Sequence, residues 1–236
     1  MKNIKTTIVF GSLLLAQSMP GFTAGQNDIF GIWGSVTLQG DLKPLSPDLD
    51  KIKWSVMNQT RTRDDSSKGS RFTENLLFGQ VGYQFNRNAS LWIGYAHDWI
   101  SPLNKSSFQE SRPYQDFVWN QKIHGFKFMS RSRMEQRIRE TTGDTGYRAR
   151  QFLQISHPLP LIDGLSAYVG EEVFFYMNKN KFGKKGFSEN RIFSGISYQA
   201  TKKMGVDLGY MGQYVDTISG KNLFTHNIQV NFRYKF

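Results

Sequence analysis

The final stretch of the chain, Leu223 to Phe236, reads LFTHNIQVNFRYKF and alternates with a period of two. Its even positions are Phe224, His226, Ile228, Val230, Phe232, Tyr234 and Phe236, apolar but for the histidine. From Thr225 onward no odd position is apolar. Successive side chains of a β-strand point to opposite faces, so this stretch is a strand with one greasy and one polar side. Its length is the constraint. Strands in soluble sheets usually run about five or six residues, whereas a tilted strand crossing a bilayer takes roughly 9–11. A strand this long needs partners of similar length, and the rest of the chain supplies candidates.

Composition permits that reading. The 236 residues are 39% hydrophobic, enough for one domain of moderate size. No apolar window of about 18 residues lies beyond the N-terminus, which excludes a helical membrane protein. A membrane barrel survives, because only alternate residues of each strand need be apolar. Nineteen Phe and ten Tyr suit aromatic girdles at the two bilayer interfaces. Cysteine is absent, so no disulfide framework, thiolate metal site or lipid-modified cysteine is available. The net charge of +11 is spread strand by strand rather than gathered in one patch, which argues against nucleic acid as a partner.

The first residues have their own pattern. Lys2 and Lys5 precede an apolar run from Ile8 to Ala16, then Pro20 and small residues ending at Ala24. This is a secretory signal peptide, expected to span residues 1–24, with a barrel domain over 25–236. Cleavage after Ser18 is the alternative.

Eleven strand-like segments follow: Ile29–Leu38, Lys51–Arg61, Phe72–Phe85, Leu91–Trp99, Tyr114–His124, Lys127–Glu140, a segment holding Arg148 to Ile155, Leu165–Asn178, Phe187–Tyr198, Met204–Asp216 and the terminal strand. The expected fold is all-β: a membrane-spanning antiparallel barrel of about 10–12 strands. Single-chain bacterial barrels have even strand numbers, so eleven implies that Ile29–Leu38 is not a full crossing or that one strand is hidden. From the third segment onward, short connections alternate with longer polar ones. The loops at 62–70, 100–113, 141–146, 179–186 and 217–222 are therefore expected on one side, facing outward. A soluble sandwich or lipocalin-like barrel also alternates, but with shorter strands.

Several motifs in order, namely SRMEQRIRE, the Arg148–Arg150 strand ending in HPL, EEVFF, SENRIFSGISY, VDLGYMGQY and NFRYKF, carry a resemblance. The chain resembles the domain-of-unknown-function 2490 family of proteobacterial outer-membrane proteins from about Trp33 to Phe236. The stretch VGYQFNRNASLWIGYAHDW is similar to the family's third and fourth strands. The resemblance implies an outer-membrane barrel in the bacterial envelope and supplies no activity and no catalytic residue. The terminal aromatics Phe232, Tyr234 and Phe236 resemble the assembly signal by which the barrel assembly machinery takes up such chains.

The charged residues of the inner face are the main candidate site. They are Arg131, Arg133, Glu135, Arg137 and Arg139, beside Arg148, Arg150, Glu172, Glu189 and Arg191. Opposite charges on neighbouring strands pair across the ladder, and isolated buried charges are too costly to persist. A narrow barrel encloses little beyond its own side chains, so the expectation is a salt-bridged, structural interior. The excess of Arg over Glu leaves a narrow, anion-preferring channel as the other reading of this lumen. The function expected is thus a non-enzymatic envelope protein, structural or porin-like. The enzymatic alternative is an omptin-like protease, with Asp64 and Asp65 near the His97–Asp98 pair on the outer rim. Adjacent strand residues point apart, so His97 and Asp98 are not expected to touch. Ser156–His157 is placed in an inner turn. Lys179, Lys181, Lys184 and Lys185 are expected outside, where lipopolysaccharide phosphates lie. No cofactor or metal motif is present.

Overall fold

The computed structural model describes residues 28–236 except 66–68, 104 and 221. The expected leader lies outside the described residues. Eleven strands run β1 Asp28–Asp41, β2 Ile52–Asp65, β3 Gly69–Gln84, β4 Ala89–Ile100, β5 Phe108–Ile123, β6 Phe126–Arg139, β7 Thr145–Pro158, β8 Leu165–Tyr176, β9 Gly186–Gln199, β10 Met204–Val215 and β11 Leu223–Lys235. One short 3-10 turn, Pro47–Leu49, interrupts the β1–β2 connection. Each strand pairs with its sequence neighbours, and β1 pairs with β11 to close the barrel.

That closure corrects the expectation of an even, wholly antiparallel barrel. An up-and-down meander with an odd number of strands starts and ends in the same direction, so its closing pair must be parallel. The β1–β11 pairing is parallel from Asp28↔Phe224 to Gln39↔Lys235, while every other neighbouring pair is antiparallel. The first segment, expected to fall short of a full crossing or to leave one strand hidden, is a full strand. The five connections expected on one side do lie together, at the end opposite Phe236, although the strands reach further into them than the sequence suggested.

Alternation divides the wall. Ile32, Ile93, Leu153, Val169, Leu208 and Ile228 stand on the outside, each at least half exposed. Inside are charged and amide side chains, with Tyr114, Phe174, Leu76 and Met211 fully buried among them. Two local features show how sequence shapes the wall. The β5–β6 turn is His124–Gly125, both with positive φ (48° and 86°), the type I′ geometry that matches the strand twist. Gly94 faces inward directly beneath the Tyr114 ring, so a Cβ there would collide with the ring.

Candidate functional site

The inner wall of β5 to β9 presents its charges at consecutive inward positions, and the register sets them face to face. Glu135 lies opposite Arg148, and Glu172 lies one strand beyond Phe152. The resulting network is continuous. Arg148 Nε donates to Glu135 at 2.5 Å, and Arg150 reaches both Glu135 at 3.0 Å and Glu172 at 2.8 Å. Arg131 crosses over β7 to Glu172 at 2.7 Å. Arg191 holds Glu189 at 2.5 Å and lies 3.8 Å from Glu172. Gln213 and Thr225 extend the chain of hydrogen bonds from Glu189 to Asn227 on β11.

Aromatic rings occupy the gaps between guanidiniums. Arg148, Arg150 and Arg191 all lie over Phe174, which is wholly buried. Arg61 and Arg191, from opposite sides of the seam, cover Trp33 at 3.7 and 4.9 Å from its ring centroid. Each ring offers a negative face to cations whose own carboxylates are already engaged.

Of the inner-face charges expected from sequence, Arg131, Glu135, Arg148, Arg150, Glu172, Glu189 and Arg191 form this network, while Arg133 and Arg137 bind other acids. Arg139 stands slightly apart, stacked over Phe108 at 4.0 Å. What sequence reasoning missed is a neighbouring set of ion pairs in the same lumen. Arg112 pairs with both Asp98 and Glu110, and Arg137 forks onto Glu110 at 2.8 Å and the Tyr176 hydroxyl at 2.7 Å. Arg133 is held by Asp116 in two bonds of 2.6 and 2.7 Å, and Arg61 pairs with Glu74. Glu110 and Arg112 fall within the loop expected at 100–113, but the structure places them in β5, on the far side of Pro113 from the rest of the strand. The β5–β6 ladder skips Arg112 and Pro113 and resumes in the same register. Counting these groups turns seven Arg against three Glu into nine Arg against seven acids. The excess behind the anion-preferring reading therefore shrinks by half.

Above the network, the β8–β9 loop folds inward. Phe182 covers Arg137 at 4.4 Å, and Asn178 ties the loop to β7 through the backbone of Tyr147 and Thr145. Lys181 pairs with Asp144 at 3.3 Å and Lys184 with Asp216 at 3.2 Å, while Lys179 and Lys185 are exposed. The Thr142 hydroxyl, with Lys181 beside it, holds the Asp144 carboxyl below its ordinary range. A cavity of about 970 Å³ runs among the network's own side chains, from Arg63 and Val215 near the loop end to Lys53 and Lys235 at the other, and a second of about 1180 Å³ lies toward the end where Phe236 sits.

The omptin-like set does not assemble. Asp98 turns inward to Arg112, His97 turns outward, and Asp64 sits two strands away opposite Ser70. Ser156 and His157 belong to the end of β7 rather than to a turn. Among the described residues no group of three acids or histidines forms a metal-binding cluster.

Fold and interior define the class: a closed β-barrel with an apolar outer wall and an ion-paired core. The chain belongs to the family described as protein of unknown function (DUF2490), whose model matches residues 30–224. It is also similar to an uncharacterised protein of Methylorubrum extorquens, 30% identical over 165 residues that cover 69% of this chain and 72% of that one.

Proposed function

We propose that this protein is an outer-membrane β-barrel of the bacterial envelope, exported through its leader, with an interior that braces the wall instead of conducting. The observation that carries the reading is the inverted polarity of the barrel. Its outer face is apolar on strand after strand, and its charges are inside. In water this arrangement would leave an exposed apolar surface far larger than soluble monomers tolerate; in lipid it is the expected one. Aromatics gather toward both ends of the outer wall, with Phe72, Trp99 and Tyr147 at one and Tyr83, Tyr198 and Phe236 at the other. Such belts sit at bilayer interfaces. Phe232, Tyr234 and Phe236 line the outer edge of β11, where the barrel assembly machinery would engage them. The exposed Lys179 and Lys185 would meet lipopolysaccharide phosphates.

The lumen's charges bind one another and the β8–β9 loop folds over them at the loop end, which supports a braced, plugged interior even though a cavity runs among these side chains. Cell fractionation should place the protein in the outer membrane, with a gel mobility that shifts on heating. In planar bilayers the purified protein should give no steady current. A steady current that loses anion preference in Arg137→Ala would overturn the plugged lumen and favour a channel.

A further inference from the structure

The outer wall carries a second polar cluster, unrelated to the lumen. On β4 and β5 the odd residues face outward, and His97 is the direct cross-strand partner of Ser111. Just past β6, the backbone N–H of Glu140 bonds to the Gln109 carbonyl at 3.1 Å, which brings its side chain alongside both. The Ser111 hydroxyl donates to Glu140 Oε1 at 2.6 Å, and His97 Nδ1 lies 3.4 Å from the same oxygen. His97 Nε2 is 2.9 Å from Gln109 Oε1. Because Ser111 spends its proton on Glu140, the Tyr95 hydroxyl, 2.7 Å away, must donate to Ser111 Oγ. Trp99 packs against the imidazole at 4.3 Å.

A hydroxyl, an imidazole and a carboxylate converging on one another are the parts of an activated nucleophile. Their location selects the substrate. The cluster lies on the outer wall near the loop end, at the height of Trp99. If the barrel is in the outer membrane as proposed above, the groups that pass this point are the ester linkages between acyl chains and headgroups. We propose that Ser111, His97 and Glu140 form an esterase site for acyl esters of outer-leaflet lipids. This goes beyond the non-enzymatic role expected from sequence and uses a different site from the omptin-like one.

In the step proposed, Ser111 Oγ attacks the ester carbonyl carbon while its proton passes to the Glu140–His97 couple. The tetrahedral adduct collapses by breaking the carbon–oxygen bond to the alcohol, which leaves with that proton. The Tyr95 hydroxyl is the neutral donor next to the developing oxyanion. Water, deprotonated by the same couple, then frees the fatty acid and restores Ser111. Tight convergence on the nucleophile before substrate arrives is not required, since such hydrogen bonds often tighten only in the complex.

The test uses the full-length folded barrel in detergent micelles, with phosphatidylethanolamine in one arm and purified lipopolysaccharide in the other. Released fatty acid is measured by mass spectrometry, and a fluorophosphonate probe reports on Ser111 directly. Release in either arm, with covalent labelling, supports the site and tells phospholipid from lipopolysaccharide esters. Ser111→Ala should abolish both signals, and Glu140→Gln should slow release by roughly 100-fold, as for loss of a general base. Ser132→Ala, an outward serine bonded to Gln151 on another part of the wall, should change neither. All variants should keep the heat-modifiable mobility of the parent. A folded wild type that neither labels nor releases acid overturns the proposal, as does activity surviving in Ser111→Ala. Because the assay runs in micelles, a protein found outside the outer membrane would sink the location without deciding the chemistry.

Discussion

Glu135 is 4% exposed and held between two guanidiniums, Arg148 on the facing strand and Arg150 one step along. Removing one member of a buried set leaves the others uncompensated, a loss of roughly 3–5 kcal/mol. Glu135→Ala should therefore lower the urea midpoint of the folded barrel in detergent by that equivalent, with an unchanged slope. Glu135→Leu combined with Arg148→Leu should recover much of the loss, since replacing a whole pair by apolar groups is often neutral. A single variant as stable as the wild type would mean that water reaches the network and screens it. Glu171 gives a contrasting lesson. It interrupts the apolar outer row of β8, and there it accepts a 2.7 Å hydrogen bond from Asn190 on the neighbouring strand.

At the level of strands, the weakest join should be the β1–β11 seam, because parallel pairing is slightly less stable per residue. Val36 and Phe232 are partners across it, both facing outward and about half exposed. In a chain without cysteine, Val36→Cys with Phe232→Cys should form a disulfide on oxidation, and the cross-linked barrel should keep its compact mobility in hot detergent. No cross-link in the folded protein would mean that the seam lies elsewhere. The strands themselves were largely legible in sequence, because period-two alternation survives wherever one face is apolar. Legibility failed where local chemistry interrupts it. Pro113 and the inward Tyr114 disguised the start of β5, hiding Glu110, Arg112 and Ser111 in an apparent loop. The partners of Arg137 and Arg133 could not be read, since strand register depends on turns that no local pattern specifies.

The whole molecule turns on what surrounds the outer wall. Ile228 sits midway along β11 between Ile32 and Tyr210, 54% exposed. On a water-facing surface, Ile228→Arg would change stability by about 0.5 kcal/mol or less. Near the middle of a bilayer it should cost about 2–4 kcal/mol. Unfolding of the two proteins reconstituted in lipid vesicles separates these outcomes, and near-equal midpoints would contradict the membrane reading. The closing pair has one more implication, for how the ring is completed. Strand β2 runs against β11, so a sheet lacking β1 would have ten members whose ends already oppose each other. A ring joined β2 to β11 would be wholly antiparallel; the observed ring instead sets β1 between them, a strand that lays Trp33 beneath Arg61 and Arg191.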